Sequence, residues 1–215
     1  MDGPAGAGKS SVAREVAKRL GLVYIDTGAM YRACGVYTIE NNIKISPQTV
    51  TPEVLDNIKI DIVHDENGQK IFLCGRDVSQ RIREKDATIA SSDISAIPAV
   101  REKMAQMQKK MASYGNVIMD GRDIGTCVIP DAEVKIFLTA SVEERAGRRY
   151  KEMLQKGIEA DFEEVKRDIE YRDKNDTQRA VSPLKMADDA VLLDSTDMTA
   201  EEVVEKIISI INGEN

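Results

Sequence analysis

Eight residues near the start of the chain, Gly3-Pro4-Ala5-Gly6-Ala7-Gly8-Lys9-Ser10, have the types and spacing to hold a polyphosphate. Glycines let a backbone wrap an anion with its N–H groups turned inward and no Cβ in the way. Lys9 then reaches the β- and γ-phosphates, and the Ser10 hydroxyl is a ligand for Mg²⁺. A helical pattern begins at once, with Val12, Val16 and Leu20 on one face. The loop therefore opens onto a helix N-terminus, which favours an anion. That chemistry is nucleotide binding and phosphoryl transfer with ATP and Mg²⁺, but the loop does not name the acceptor. Switch GTPases add a base-reading Asn-Lys-x-Asp, which Lys174-Asn175-Asp176 does not spell.

Three further clusters carry charge. Asp26-Thr27-Gly28-Ala29-Met30-Tyr31-Arg32 follows the apolar run 22–25. Asp26 or Thr27 can cap the next helix, and Arg32 on its first turns suits a bidentate grip on phosphate. Asp120-Gly121-Arg122-Asp123 follows Val117-Ile118-Met119. In open α/β sheets ligands bind beyond the carboxyl ends of strands, so both clusters read as site residues. In the third, Phe162, Val165 and Ile169 share a helix face that continues as Arg172, Asp176 and Arg179, an apolar stripe turning charged. Arg145, Arg148 and Arg149 cluster one helix earlier. Two such helices joined around Gly157 read as a mobile lid over the transferring phosphates.

To bring these clusters to one edge, the chain must alternate strands and helices around a parallel sheet. Strands are expected at 22–25, 116–119, 134–138 and 191–193. Helices are expected at 9–20, 28–40, 86–96, 98–112 and 161–175, with others opened by Ser141 to Glu144 and by Thr199 to Glu202. Residues 41–84 differ. Two β-rich runs, 58–64 and 69–74, flank Asp65-Glu66-Asn67-Gly68, a hairpin signal. An antiparallel hairpin inside an α/β chain reads as a small insert, so 1–40 and 85–215 form the core (lid about 145–180) and 41–84 the insert. The single histidine, His64, reads as solvated at the end of a hairpin strand.

The 215 residues are 42% apolar and 31% charged, enough for one soluble domain with an insert. No apolar window reaches the length of a membrane span, and no signal peptide is visible. Cys34, Cys74 and Cys127 are too scattered for a disulfide framework or a zinc cluster, which suits a reduced, cytoplasmic protein. A net charge of −7 disfavours nucleic acid as a partner, so any basic residues holding an anionic substrate must be concentrated locally.

Taken together, these residues resemble the bacterial cytidylate (CMP) kinases over the whole chain. The resemblance rests on GPAGAGKSS at the start, DTGAMYR at 26–32, MDGRDIGT at 119–126, Val128-Ile129-Pro130-Asp131, VKIFLTAS at 134–141, RDKNDTQRAVSP at 172–183 and VLLDST at 191–196. It implies a nucleoside monophosphate kinase acting as a monomer on ATP and CMP or dCMP. The insert would bind the monophosphate. Residues Gly3 to Ser11, with Arg148, would hold the donor nucleotide. Ser92, Arg101 and Asp123 would contact cytosine, and a carboxylate at Asp123 suits the cytosine 4-amino group. Arg32, Arg122 and Arg179 would hold the acceptor phosphate, with Thr27, Arg172 and Asp176 around ribose and phosphate. Lys9, Arg122, Arg179 and Asp176 form the implied catalytic set, and no strong general base is needed.

One departure is structural. A P-loop of this class hangs from the carboxyl end of a central strand, and only Met1 and Asp2 precede Gly3. The sequence therefore predicts four parallel core strands, a poorly supported loop, and β-forming residues ahead of Met1 in the natural protein.

Overall fold

Charged residues at strand ends and apolar ones within helices set out the chain in the computed structural model, which describes residues 1–65 and 68–214. Helix α1 (Lys9–Leu20) runs between left-handed glycines, Gly8 and Gly21, and buries Val12, Ala13, Val16 and Ala17. Strand β1 (Val23–Asp26) leads directly into α2 (Thr27–Glu40). The cap of α2 is Asp26, whose carboxylate accepts from the Ala29 N–H at 2.9 Å. Thr27 instead donates its hydroxyl to the Asp120 carbonyl.

The insert holds α3 (Pro52–Asn57), which the proline at its first turn starts rather than breaks. Strands β2 (Ile60–Asp65) and β3 (Gly68–Leu73) pair antiparallel from Ile60↔Leu73 to Asp65↔Gly68. Glu66 and Asn67, on which the hairpin signal rests, lie outside the described residues. A third strand, β4 (Arg76–Asp77), follows a turn at Cys74 and Gly75, both left-handed at φ 50° and 81°. Such turns match the twist of paired strands, and here Cys74 fills a position more often taken by Asn or Asp. Next come α4 (Lys85–Ile94), α5 (Pro98–Ala112) and β5 (Val117–Asp120). A π-helical turn (Ile124–Val128) separates β5 from β6 (Ile136–Thr139). Helices α6 (Val142–Gln155) and α7 (Phe162–Gln178), strand β7 (Val191–Asp194) and α8 (Ala200–Ile211) complete the chain.

The core strands are parallel, β1 beside β5 and β6 beside β7. The place between β5 and β6, where the sequence provides no strand, is held by Met1 and Asp2. The Asp2 N–H donates to Ile136 O and the Leu138 N–H donates to Asp2 O, both at 2.8 Å. On the other side Gly121 N–H donates to Met1 O at 3.0 Å, and Met1 N donates to Met119 O at 2.8 Å. The Asp2 carboxylate accepts from the N–H groups of Ile124 and Gly125, each at 2.8 Å. The loop that was expected to lack support is thus tied to both strand pairs and to the π-turn.

One apolar core lies between α1, α8 and the strands, around Val16, Leu138, Val204 and Ile207. A second joins α2, α4, α5 and the insert around Met30, Ile58, Ile71, Ile94 and Met104. Met104 of α5 lies within this second core, with Met107 and Met111 packed against it. Ala146, Val165 and Ile169 form a smaller core between α6 and α7. Among the described residues no helix is long and apolar enough to cross a membrane.

Gly3 (φ 148°) passes so close to β6 that a Cβ on it would lie 1.9 Å from Leu138 O, whereas a Cβ on Gly8 (φ 83°) would meet nothing within 4 Å. Gly8→Ala should cost roughly 1–2 kcal/mol, the strain of a left-handed residue with a side chain. Gly3→Ala should cost more than ~3 kcal/mol, because strand backbone must move. Urea unfolding of the two variants would measure the difference, and equal midpoints would contradict it.

Candidate active site

The P-loop lies at the carboxyl edge of the strands, where Asp26 and Asp120 end β1 and β5. Gly3, Pro4, Ala5 and Ala7 are buried, Gly8 and Ser10 partly so, and Gly6 and Ser11 face solvent. Lys9 is buried and donates its Nζ to Pro4 O at 2.6 Å. Burial, then the neighbouring Arg122, holds its ammonium well below the ordinary lysine value, while Asp120 opposes them. Ser10 Oγ donates to Asp120 Oδ2 at 2.7 Å, and Tyr24 donates its hydroxyl to Asp120 Oδ1 at 2.9 Å. Burial first, and the nearby Asp26 second, push the Asp120 carboxyl above its ordinary value.

Beyond the loop, arginines and aspartates meet in the space bounded by α2, α5, β5 and α7. Arg101 is buried and donates to Asp123 Oδ2 at 2.5 Å, and its guanidinium stacks 5.5 Å from the Tyr31 ring centre. Arg122 Nε donates to Asp176 Oδ2 at 2.6 Å. Arg179, just past the end of α7, lies 3.4 Å from Asp176 and 3.6 Å from Asp123. Arg32 pairs with Asp26 at 2.8 Å. Arg172 forms no hydrogen bond or ion pair with any described residue. Burial and then Arg122 bring its value down to about 10. Arg101 Nε and Arg179 Nη2 are buried without hydrogen-bond partners. Ser92, on α4, is within 3.4 Å of the Asn175 amide of α7. The structure thus gathers Thr27, Arg32, Ser92, Arg101, Arg122, Asp123, Arg172, Asp176 and Arg179 around one space.

The three arginines of α6 do not gather with them. Arg145 turns inward and donates to Ala140 O, to the P-loop carbonyl of Ala5 at 2.7 Å and to Asp173 at 2.6 Å. Arg148 reaches the loop after β7, donating to Ser195 Oγ at 3.0 Å and Ser195 O at 2.5 Å. Arg149 pairs with Glu152 at 2.8 Å. Helical spacing put these residues on neighbouring positions. The elements packed around α6 send each guanidinium a different way.

Sequence reasoning passed over Asp120 as a partner of Ser10, although it ends an apolar strand beside the loop. It also passed over Asp173, because the stripe through Arg172, Asp176 and Arg179 drew attention one position away. His64 is exposed, as expected, yet it also makes a contact across to the core. Its Nε2 donates to Tyr24 O at 2.6 Å, and Asp26 N–H donates to Gln69 Oε1 at 2.9 Å. His64 and Gln69 are a cross-strand pair, so the insert docks on the outer edge of β1 through two side chains.

A phosphate-binding loop opening a helix at the carboxyl edge of parallel strands, with a cationic space beside it, defines a P-loop phosphotransferase. The Cytidylate kinase family profile matches residues 1–213. A cytidylate kinase of Carboxydothermus hydrogenoformans is 50% identical over 215 residues, covering all of this chain and 97% of that protein. One from Bacillus cereus is 52% identical over 213 residues, covering 99% of this chain and 95% of that protein. The chain belongs to the cytidylate kinase family. The overall fold also matches the solved structure of an uncharacterized protein from Eubacterium ventriosum, with TM-score 0.50, 12% identity, and 99% and 96% of the two chains covered.

Asp176 offers a test of the charge network. Burial alone would raise its carboxyl, but Arg122, then Arg179 and Arg172, outweigh it and hold it below the ordinary value. Its contribution to stability is therefore full above ~4, the unfolded carboxylate value, and is lost as pH falls through the lower folded value. Asp176→Asn should cost on the order of 3 kcal/mol at pH 7, since it leaves Arg122 unpaired. The gap from the parent protein should close below pH ~4. Melting curves from pH 7 to 3 would check this, and a constant gap would contradict it.

Proposed function

We propose that the protein transfers the γ-phosphoryl of ATP to CMP or dCMP, giving ADP and CDP or dCDP. The observation that carries this reading is the packing of six cationic side chains, Lys9, Arg32, Arg101, Arg122, Arg172 and Arg179, against four carboxylates between the P-loop and α7. In a chain of net charge −7, that is a locally positive site. Arg172, Arg101 Nε and Arg179 Nη2 have donors to spare for an anionic ligand.

In this reading Gly3 to Ser11 cradle the donor's phosphates, and Arg148 turns to the donor from Ser195, which holds it here. An oxygen of the acceptor's phosphate attacks the γ-phosphorus, and the bond to the β-bridging oxygen breaks as ADP leaves. Lys9, Arg122 and Arg179 stabilise the charge that spreads over the transferring group. Asp176 aims Arg122. The acceptor oxygen is already anionic at pH 7, so no side chain must remove a proton. The insert, 41–84, flanks the acceptor side. Asp123 reads the cytosine amino group, held in place by Arg101, with Ser92 at the base edge and Thr27 and Arg32 near ribose and phosphate.

A divalent cation fits the residues present. Among the described residues no group of three or more His, Cys, Asp or Glu side chains could hold a metal. Mg²⁺ needs no such cage, because it keeps waters and takes phosphate oxygens with one or two protein groups. Ser10 and Asp120, 2.7 Å apart, are those groups here. When bound with ATP, the ion neutralises charge on the β- and γ-oxygens.

Coupled assays with CMP, dCMP, UMP and AMP test the reading. CMP and dCMP should be strongly preferred, since uracil turns an acceptor oxygen, not an amino donor, toward the Asp123 carboxylate. Asp123→Ala should narrow the preference by losing CMP activity. Arg122→Met and Arg179→Met should each lose roughly 2–4 kcal/mol of transition-state stabilisation in kcat/KM. Equal activity on UMP, or losses below about tenfold, would overturn these roles.

A further inference from the structure

Helix α7 makes its polar contact with the P-loop through Asp173, and the contact has a direction. Asp173 Oδ1 accepts from the Ala5 N–H at 2.9 Å, and its Oδ2 accepts from Arg145 Nη1 at 2.6 Å. The same Arg145 Nη1 donates to Ala5 O at 2.7 Å. Carboxylate and guanidinium therefore hold Ala5 by both of its main-chain polar groups. The Arg145 side chain is 5% exposed and that of Asp173 20%, so water competes weakly for this clasp. The next residue, Gly6, faces solvent on one side and the same two helices on the other. A Cβ there would lie 3.2 Å from Arg145 Cβ and from Ile169 Cδ1.

The Ala5 N–H belongs to the same peptide plane as Pro4 O, and Pro4 O is where Lys9 Nζ is bound, at 2.6 Å. In a trans peptide N–H and C=O point in opposite directions on one rigid unit. Whatever turns the Ala5 N–H also turns the carbonyl that holds the lysine. One turn along α7, Asp176 holds Arg122 at 2.6 Å. One helix thus reaches the donor-side lysine through a peptide and the acceptor-side arginine directly.

We propose that Asp173 is a positioning residue for phosphoryl transfer: by clasping the Ala5 N–H together with Arg145, it sets the Pro4–Ala5 peptide and through it the reach of Lys9. This rests on Lys9 acting on the donor's phosphates, and it adds a residue that touches neither substrate. Asp173 couples the seating of α7 to the readiness of the loop. Asp176 couples the same seating to the acceptor side.

The test uses the full chain with Asp173→Ala and with Asp173→Asn, which keeps the shape and an oxygen for the Ala5 N–H but loses the charge facing Arg145. Steady-state kinetics are measured with ATP and CMP varied separately, alongside melting curves and NMR exchange of the Ala5 amide. In Asp173→Ala the Ala5 amide should exchange at least tenfold faster. The kcat/KM for ATP should fall by at least tenfold, while KM for CMP stays within about twofold. Asp173→Asn should fall between it and the parent. Unchanged Ala5 exchange, or KM values for ATP and CMP rising together as in a general loosening, would overturn the proposal. If Asp173→Ala does not fold, Asp173→Asn alone decides by the same readouts. If the parent protein does not phosphorylate CMP, the proposed reaction fails on its own. The clasp is then judged by Ala5 exchange and by the dissociation constant for ATP, which should rise at least tenfold in Asp173→Ala.

Discussion

Charges kept from water must be paired, and that requirement organises the carboxyl edge of this sheet. Arg101 needs Asp123, Arg122 needs Asp176, and Arg32 needs Asp26. Each pairing crosses from one element to another or pins a helix start, so the site cannot form until α2, α5, β5 and α7 are in place. The aspartates are spacers as much as partners, because they keep guanidinium groups apart that would otherwise repel. An anionic ligand then meets donors already aimed and needs little rearrangement to be held. Preorganisation of that kind makes electrostatic stabilisation effective at the moment charge moves.

The same economy shows at the P-loop. Its first glycine is pressed against Leu138 O, its apex is clasped by Asp173 and Arg145, and its following helix buries Val12 and Val16 against α8. Asp2 pairs with β6 and caps the π-turn that follows Asp123. The loop's base and the residue assigned to base recognition are therefore linked through one side chain, the Asp2 carboxylate, which holds the N–H groups that follow Asp123.

Much of this was legible in the sequence, for reasons that differ by element. The P-loop was readable because each fixed position answers a separate steric or charge demand. Asp26 and Asp120 marked the ends of β1 and β5 because an acidic residue follows a short apolar run in each. Periodicity placed Val165, Ile169 and Asp176 on one face of α7, and all three are buried. What periodicity cannot supply is the neighbour. Arg145, Arg148 and Arg149 are adjacent on α6, yet their partners come from the P-loop, the loop after β7 and α6 itself. Asp173 was hidden for the same reason, since nothing in its own helix says that residue 5 lies opposite. Strand β4 was missed because a Cys-Gly turn carries a weaker signal than Asn-Gly.

The docking of the insert bears on how copies of this chain meet. Among the described residues β1 has a paired neighbour, β5, on one side only. An open strand edge is a template for another molecule's backbone. Here the Tyr24 carbonyl is taken by His64 and the Asp26 N–H by Gln69, two of the groups that a foreign strand would seek on that side. Two side chains from a hairpin thus stand in for a sixth strand without being one. The hairpin covers part of that edge with side chains and no ladder, while Ile60, Ile71 and Leu73 fix it in the core beside α2.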